Sequence, residues 1–241
     1  MDEGRLLGGR VRHAQLRCGH RTGIEPVLLA ASVPARPGER VLEGGTGSGA
    51  ALLCLAARVP RVTGTGIERE PALAALARHN IAANGFAGLT VLEGDITAVA
   101  PDGPFDHAIA NPPWHDAAGS ASPDAAREVA RRARPGLLAL WAARLGAPLA
   151  HRGTVTLIIA AAVLPEALAA LATAGCGSPA ILPLWPRIGR AAKLLLLRAV
   201  KGGRGGAVVL PGLVLHGTDG RYTPEAEAIL RDGAALGFAA P

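Results

Sequence analysis

Along the chain, short apolar runs alternate with longer segments whose apolar positions are spaced for a helix. Arg40-Val41-Leu42-Glu43, Val62 to Ile67, Leu89 to Leu92, Phe105 to Ala110 and Thr154 to Ala160 read as strands, too short and apolar for helices. Between them, Ala50 to Arg58, Pro71 to Asn80 and Pro165 to Ala174 read as helices. Pro71 falls in a first turn, where a missing N–H costs nothing, and Gly175 supplies a stop. Ser122 to Ala150 is mostly helical in pattern, interrupted at Pro135-Gly136, and Ile181 to Leu184 and Leu194 to Val200 read as final strands. This alternation predicts an α/β domain with a parallel sheet covered on both faces. In such sheets ligands sit at the carboxyl ends of the strands, where the winding reverses. The tail differs: Gly202 to Gly206 reads as a flexible turn. Val208 to Leu210 and Leu213 to His216 predict a β-hairpin through Pro211-Gly212, and Pro224 to Arg231 a closing helix.

Composition permits that architecture. With 241 residues, 49% hydrophobic and 18% charged, the chain can bury a large core as one domain with small appendages. Aromatics make up only 3%, so the core must be Leu, Val, Ile and Ala. The net charge is +6 and nearly all the cations are arginines, Lys193 and Lys201 being the only lysines. A basic, arginine-rich face favours nucleic acid, although biased base composition in the gene would give the same excess. Arg10, Arg12, Arg17 and Arg21, with Arg187, Arg190, Lys193, Lys201 and Arg204, could line an RNA path, or be simple surface charges. Cys18, Cys54 and Cys176 lie far apart, without metal-ligand spacing, and read as reduced, small apolar residues. No signal peptide and no membrane-spanning run is expected, so the reading is a cytoplasmic protein that binds no metal and no membrane, with a monomer favoured.

The candidate chemistry sits at strand ends. Glu43-Gly44-Gly45-Thr46-Gly47-Ser48-Gly49 follows the first core strand and opens a helix. Its glycines let backbone approach a ligand, and the helix start offers free N–H groups. Alone it also satisfies a dinucleotide fingerprint. Glu68 ends the next strand and could accept both ribose hydroxyls of an adenosine; Asp95 follows the third and could accept from an adenine amine. Either acid by itself could be a solvated strand end. A pyrophosphate wants a loop free of anionic side chains, whereas the cationic S-adenosylmethionine tolerates Glu43, which favours the latter over a nicotinamide cofactor.

Then comes Asn111-Pro112-Pro113-Trp114-His115-Asp116. Two prolines cannot continue a central strand. The stretch is either a plain strand stop with an inward aromatic or a rigid pocket edge. The Asn111 amide oxygen and the Pro112 carbonyl could hold the hydrogens of an exocyclic amine and turn its lone pair toward a methyl donor. Pro113 fixes the backbone, and Trp114 offers a face on which a base can stack. His115 and Asp116 read as solvated residues, and Trp141 and Trp185 as packing residues.

Glu43-x-Gly45-x-Gly47-x-Gly49, Glu68, Asp95 and Asn111-Pro112-Pro113-Trp114, in that order, resemble a class I S-adenosylmethionine-dependent methyltransferase of the amino-methylating type. "HRTGIEPVLLAASV", "PLWPRIGRAAKLLLLRAVKGGRG" and "LVLHGTDGRYTPEAEAILR" are similar to bacterial tRNA1(Val) adenine-N6 methyltransferases. The resemblance implies a Rossmann-like fold with a mostly parallel seven-stranded sheet. It implies S-adenosyl-L-methionine as cofactor, bound by Glu43, Gly45, Thr46, Gly47, Gly49, Glu68, Asp95, Asn111, Thr22 and Glu25. It implies catalysis by Asn111, Pro112, Pro113 and Trp114, and a tRNA substrate methylated on an adenosine beside the anticodon. Guanine N2 in ribosomal RNA, a protein glutamine amide, and a non-catalytic adenosyl-binding RNA module remain alternatives. Expected segments are an arm and cofactor-covering helix at 1–36, a core at 37–200, and a hairpin with a short helix at 201–241. Three residues depart from the family pattern: Gly44 stands where Leu or Ile is usual, leaving the strand short of a packing side chain, Thr46 where Cys or an equivalent is usual, and Glu25 where Asp is usual.

Overall fold

The computed structural model describes residues 1–17, 21–113 and 136–238. A hairpin of β1 (Asp2–Leu6) and β2 (Val11–Gln15) leads to α1 (Glu25–Ser32). Then follow β3 (Arg40–Gly44), α2 (Ala50–Arg58), β4 (Thr63–Glu68), α3 (Pro71–Asn84), β5 (Leu89–Glu93) and β6 (Phe105–Ala110). After the undescribed stretch come α4 (Leu137–Gly146), β7 (Leu149–Ala160), α5 (Leu164–Thr173), β8 (Cys176–Trp185) and β9 (Leu194–Lys201). The short strands β10 (Val208–Val209) and β11 (Leu213–Val214) and helix α6 (Pro224–Asp232) end the fold.

The main sheet runs β5-β4-β3-β6-β7-β9-β8, with β3 to β7 parallel and β9 antiparallel to both neighbours. Successive side chains on a strand face opposite sides, so each central strand feeds two cores. Val41, Ile109, Ile158 and Leu196 pack with α1, α2, α3 and α6. Their neighbours Leu42, Ala108, Ala110, Leu157, Ile159, Leu195 and Leu197 pack with α4 and α5. Near-continuous apolar runs are what a sheet buried on both faces requires.

The predicted tail hairpin does not form. Both β10 and β11 run parallel to β8, at Ala180–Ile181 and at Leu184–Trp185, and so extend the sheet to nine strands. The chain jogs at Pro211-Gly212 instead of reversing, because the free edge of β8 satisfies more backbone groups than a two-strand hairpin would. Leu210 N–H donates to the Ile181 carbonyl (2.8 Å), Leu215 N–H to the Trp185 carbonyl (2.8 Å), and Trp185 Nε1 to the Pro211 carbonyl (3.0 Å).

The N-terminal hairpin is fastened by amides. Asn80 Oδ1 accepts Ala14 N–H (2.8 Å) while its Nδ2 donates to the carbonyls of Ala14 and Ser48 (both 3.0 Å). Asn84 does the same one turn on, accepting Arg12 N–H (2.9 Å) and donating to the Arg12 carbonyl (2.7 Å). Two asparagines at i and i+4 on one helix face thus imitate a partner strand for β2. Asn80→Ala strands three backbone groups in the interior and should cost about 2 kcal/mol, read as a lower urea midpoint; an unchanged midpoint would show that the amides are not what fastens the hairpin.

Candidate active site

Strand register gathers the candidate residues at one edge. Gly44 pairs with Ile67 on β4 and with Ala110 on β6, and Glu68 pairs with Glu93 on β5. The chain therefore leaves three neighbouring strands side by side as Gly45, Glu68 and Asn111, with Asp95 two residues past β5. The sheet order reverses between β3 and β6, the place where such folds bind ligands.

The glycine loop is shaped from below and open above. Gly45 takes φ +64°, and a Cβ there would sit 2.7 Å from the Trp141 ring. Gly47 takes φ +57°, and a Cβ there would meet nothing within 4 Å, so this part of the backbone is bare toward a ligand. Gly44 does not leave a void: Ile96 Cδ1 occupies the place of its side chain, with Leu145 and Trp141 alongside. The departure from the family pattern is filled by neighbours from the α4 face.

Glu43 is buried, and the Thr46 hydroxyl donates to its Oε2 at 2.5 Å. Burial pushes its carboxyl up to about 8, although the Thr46 hydrogen bond favours the anion. A buried carboxyl with one hydroxyl donor suits a cationic ligand that would restore its charge. Glu68 is also buried; its Oε2 accepts Gly47 N–H (2.8 Å) and its Oε1 accepts Glu70 N–H (2.9 Å). A carboxylate offers about four acceptor positions, so two remain for hydroxyls. Asp95 Oδ1 takes both the Thr97 N–H (2.8 Å) and hydroxyl (2.7 Å), which hold this carboxyl below its ordinary range. These donors and their charges fit an adenosyl group with a cationic tail.

Asn111 is exposed and Pro112 is buried, so an anchored proline presents the amide at the pocket edge. Trp114, His115 and Asp116 lie outside the described residues. Thr22 and Glu25 sit at the entry of α1 and make no hydrogen bond to the glycine loop among the described residues. Thr22 is tied to β2, where the Gln15 side chain accepts its N–H (2.9 Å). Cys54 and Cys176 are free and buried, and burial raises both thiols; Cys18 lies outside the described residues.

Three residues that shape the loop have no motif to reveal them. His13 Nε2 lies 2.8 Å from Ser48 Oγ, and burial lowers this imidazole to about 4, so it stays neutral. Asn80 holds the Ser48 carbonyl. Trp141, expected only to pack, packs against the loop itself. The one available signal was a pair of amides, Asn80 and Asn84, on an otherwise alanine-rich helix.

Residues 21–139 match the family model "Methyltransferase small domain". The chain is 33% identical over 216 residues to the tRNA1(Val) (adenine(37)-N6)-methyltransferase of Aeromonas hydrophila, covering 86% of this chain and 87% of that one. The chain belongs to the class I S-adenosylmethionine-dependent methyltransferases. A tRNA1(Val) (adenine(37)-N6)-methyltransferase of Yersinia pestis is 38% identical over 119 residues, 48% of each chain. A predicted O-methyltransferase from Agrobacterium tumefaciens superposes with TM-score 0.73 at 28% identity, over 88% of this methyltransferase and 97% of that chain. Among the described residues no group of three His, Cys, Asp or Glu side chains could hold a metal ion, and no helix is long and apolar enough to cross a membrane.

Glu43 makes the cofactor-free methyltransferase sensitive to pH. The folded protein keeps the Glu43 proton up to about pH 8, whereas the unfolded chain releases it near the ordinary 4.5. Its contribution to stability is therefore fully present below pH 4.5 and is lost as pH rises toward 8. Urea unfolding between pH 5 and 8 should show a falling contribution that Glu43→Gln flattens. Identical pH profiles for the two proteins would place the titration elsewhere.

Proposed function

We propose that this methyltransferase transfers a methyl group to the exocyclic N6 amine of an adenosine in RNA, in a tRNA beside the anticodon. The carrying observation is the position of Asn111, exposed on a buried proline and one residue past the Gly44–Ala110 pairing that sets it beside the glycine loop. The names of the Aeromonas and Yersinia relatives support the same acceptor.

Glu43, the backbone of Gly45 to Gly49, Thr46, Glu68 and Asp95 hold S-adenosylmethionine in this reading, with Thr22 and Glu25 covering it from the entry of α1. When bound, the cofactor supplies an electrophilic methyl group on its sulfonium. The residues at the end of β6 prepare the acceptor. An exocyclic amine is a poor nucleophile because its lone pair is delocalised into the ring. The Asn111 Oδ1 and the Pro112 carbonyl accept its two hydrogens and turn the lone pair out of the ring plane. A hydroxyl would offer only one hydrogen to such a pair. Pro112 and Pro113 fix both acceptors beforehand, so little ordering remains for the reaction itself. Asn111 is neutral and orients the amine without taking its proton, which leaves to water once the new N–C bond has formed. Trp114, next in the sequence, supplies a stacking face for the base, worth about 1–3 kcal/mol. An anticodon-loop base is already unpaired, so presenting it is cheaper than extracting one from a duplex.

Asn111→Ala should lower kcat by at least about 100-fold while changing the cofactor Kd by less than about threefold, because it removes an acceptor used only by the substrate amine. Single-turnover methyl transfer and calorimetric titration with S-adenosylmethionine give the two numbers. Loss of cofactor binding, or retention of full turnover, would contradict the assignment.

A further inference from the structure

The basic residues do not form one path. Arg10 is spent on the Asp232 and Ala57 carbonyls, and Arg17 and Arg21 both pair with Asp2. Lys201 donates to the Ala174 carbonyl, and it and Arg204 follow an antiparallel strand to the opposite edge of the sheet. What remains is Arg12, exposed on the separate two-stranded sheet of β1 and β2, and Arg187, Arg190 and Lys193, all exposed together on the loop between β8 and β9.

We infer that this loop and the one between β11 and α6 form a single docking platform for RNA phosphates, outside the methyl-transfer pocket but on its edge. The inference rests on the RNA acceptor proposed above and adds where that RNA is held. Because β8 and β11 run parallel to β3 and β6, both loops leave the sheet at the edge that carries Gly45 and Asn111. The strands β7 and β9 intervene, so the platform lies three strand spacings, about 14 Å, from the end of β6. That separation lets one RNA hairpin place a loop base in the pocket and its flanking backbone on the platform.

The two loops are joined rather than adjacent by chance. His216 N–H donates to the Pro186 carbonyl (3.1 Å), and Gly217 N–H to the Arg221 carbonyl (2.9 Å). The His216 ring stacks on Tyr222 with centroids 4.7 Å apart. A Cβ on Gly220 would lie 3.6 Å from Arg187 Nη2, so the loop tips touch. Arg221, absent from the set that sequence suggested, follows Gly220 and so belongs to the loop tip that meets Arg187. Arg187, Arg190, Lys193 and Arg221 are all exposed, and none of them pairs with a carboxylate among the described residues. The one acid within the two loops, Asp219, accepts the Arg221 N–H (3.0 Å). Ile188 stands 83% exposed at the tip between Arg187 and Arg190, an apolar contact for a sugar or base face. Three guanidinium forks and an ammonium on a locked scaffold suit phosphates.

The test combines Arg187→Gln, Arg190→Gln, Lys193→Gln and Arg221→Gln in the full chain. A matched control carries Arg36→Gln, Arg144→Gln, Arg152→Gln and Arg204→Gln, exposed cations of the opposite edge. Binding of tRNA is followed across salt concentrations, and methyl transfer is measured separately. The platform variant should lose about three units of slope in log K against log salt, at roughly 0.7–0.9 per phosphate contact. Its KM for RNA should rise at least about tenfold, with the cofactor Kd and kcat at saturating RNA unchanged, and the control should keep the wild-type slope. An unchanged slope and KM in the platform variant overturns the inference, as does equal loss in the control. A wild-type protein that binds tRNA but methylates none would instead overturn the acceptor reading, which the separate transfer assay makes visible.

Discussion

The site depends on one pairing, Gly44 of β3 against Ala110 of β6. Two parallel strands that end in register must release their chains side by side. One chain leaves as a glycine loop and the other as Asn111-Pro112-Pro113. Slipping that register by one residue would turn every β6 side chain to the opposite face, forcing Ile109 into the layer built for Ala108 and Ala110. The two-sided core prevents the slip, since Ile109 belongs to one apolar layer and Ala108 and Ala110 to the other. Core packing thus fixes the distance between cofactor loop and acceptor amide.

Around that pairing, the loop is braced from three sides. Trp141 and Ile96 fill the space under Gly44 and Gly45. Glu68 ties Gly47 to the end of β4. Asn80 and His13 fasten Ser48 to α3 and β2. What this frame leaves without a counter-charge is Glu43, a buried carboxyl that burial, with a smaller push from Glu68, raises to about 8. A preorganised site that holds an uncompensated acid is poised for a cation, and the loop is rigid because its neighbours, not its own sequence, hold it so.

Much of this was legible in the chain. Helix α2 and strand β6 match their apolar runs, and the glycine loop, Glu68, Asp95 and Asn111 fall together as their spacing implied. Local pattern sufficed there because a short run buried on both faces has one structural solution. It failed where the answer was non-local. Pro211-Gly212 carries a turn signal, yet the open edge of β8 captured both flanking segments. Gly44 looked like a packing deficit because Ile96 and Trp141 come from distant elements. The pairing of Asn80 and Asn84 with β2 joins residues 66 and 72 positions apart, beyond any local period.

The role proposed for Asn111 requires that the amine it holds is adenine N6 in RNA. Incubating the protein with S-adenosylmethionine labelled at its methyl group, total RNA and a protein extract, then digesting the RNA to nucleosides, tests it most directly. Label should appear in N6-methyladenosine, concentrated in tRNA. Label confined to protein, or recovered as N2-methylguanosine, would contradict it.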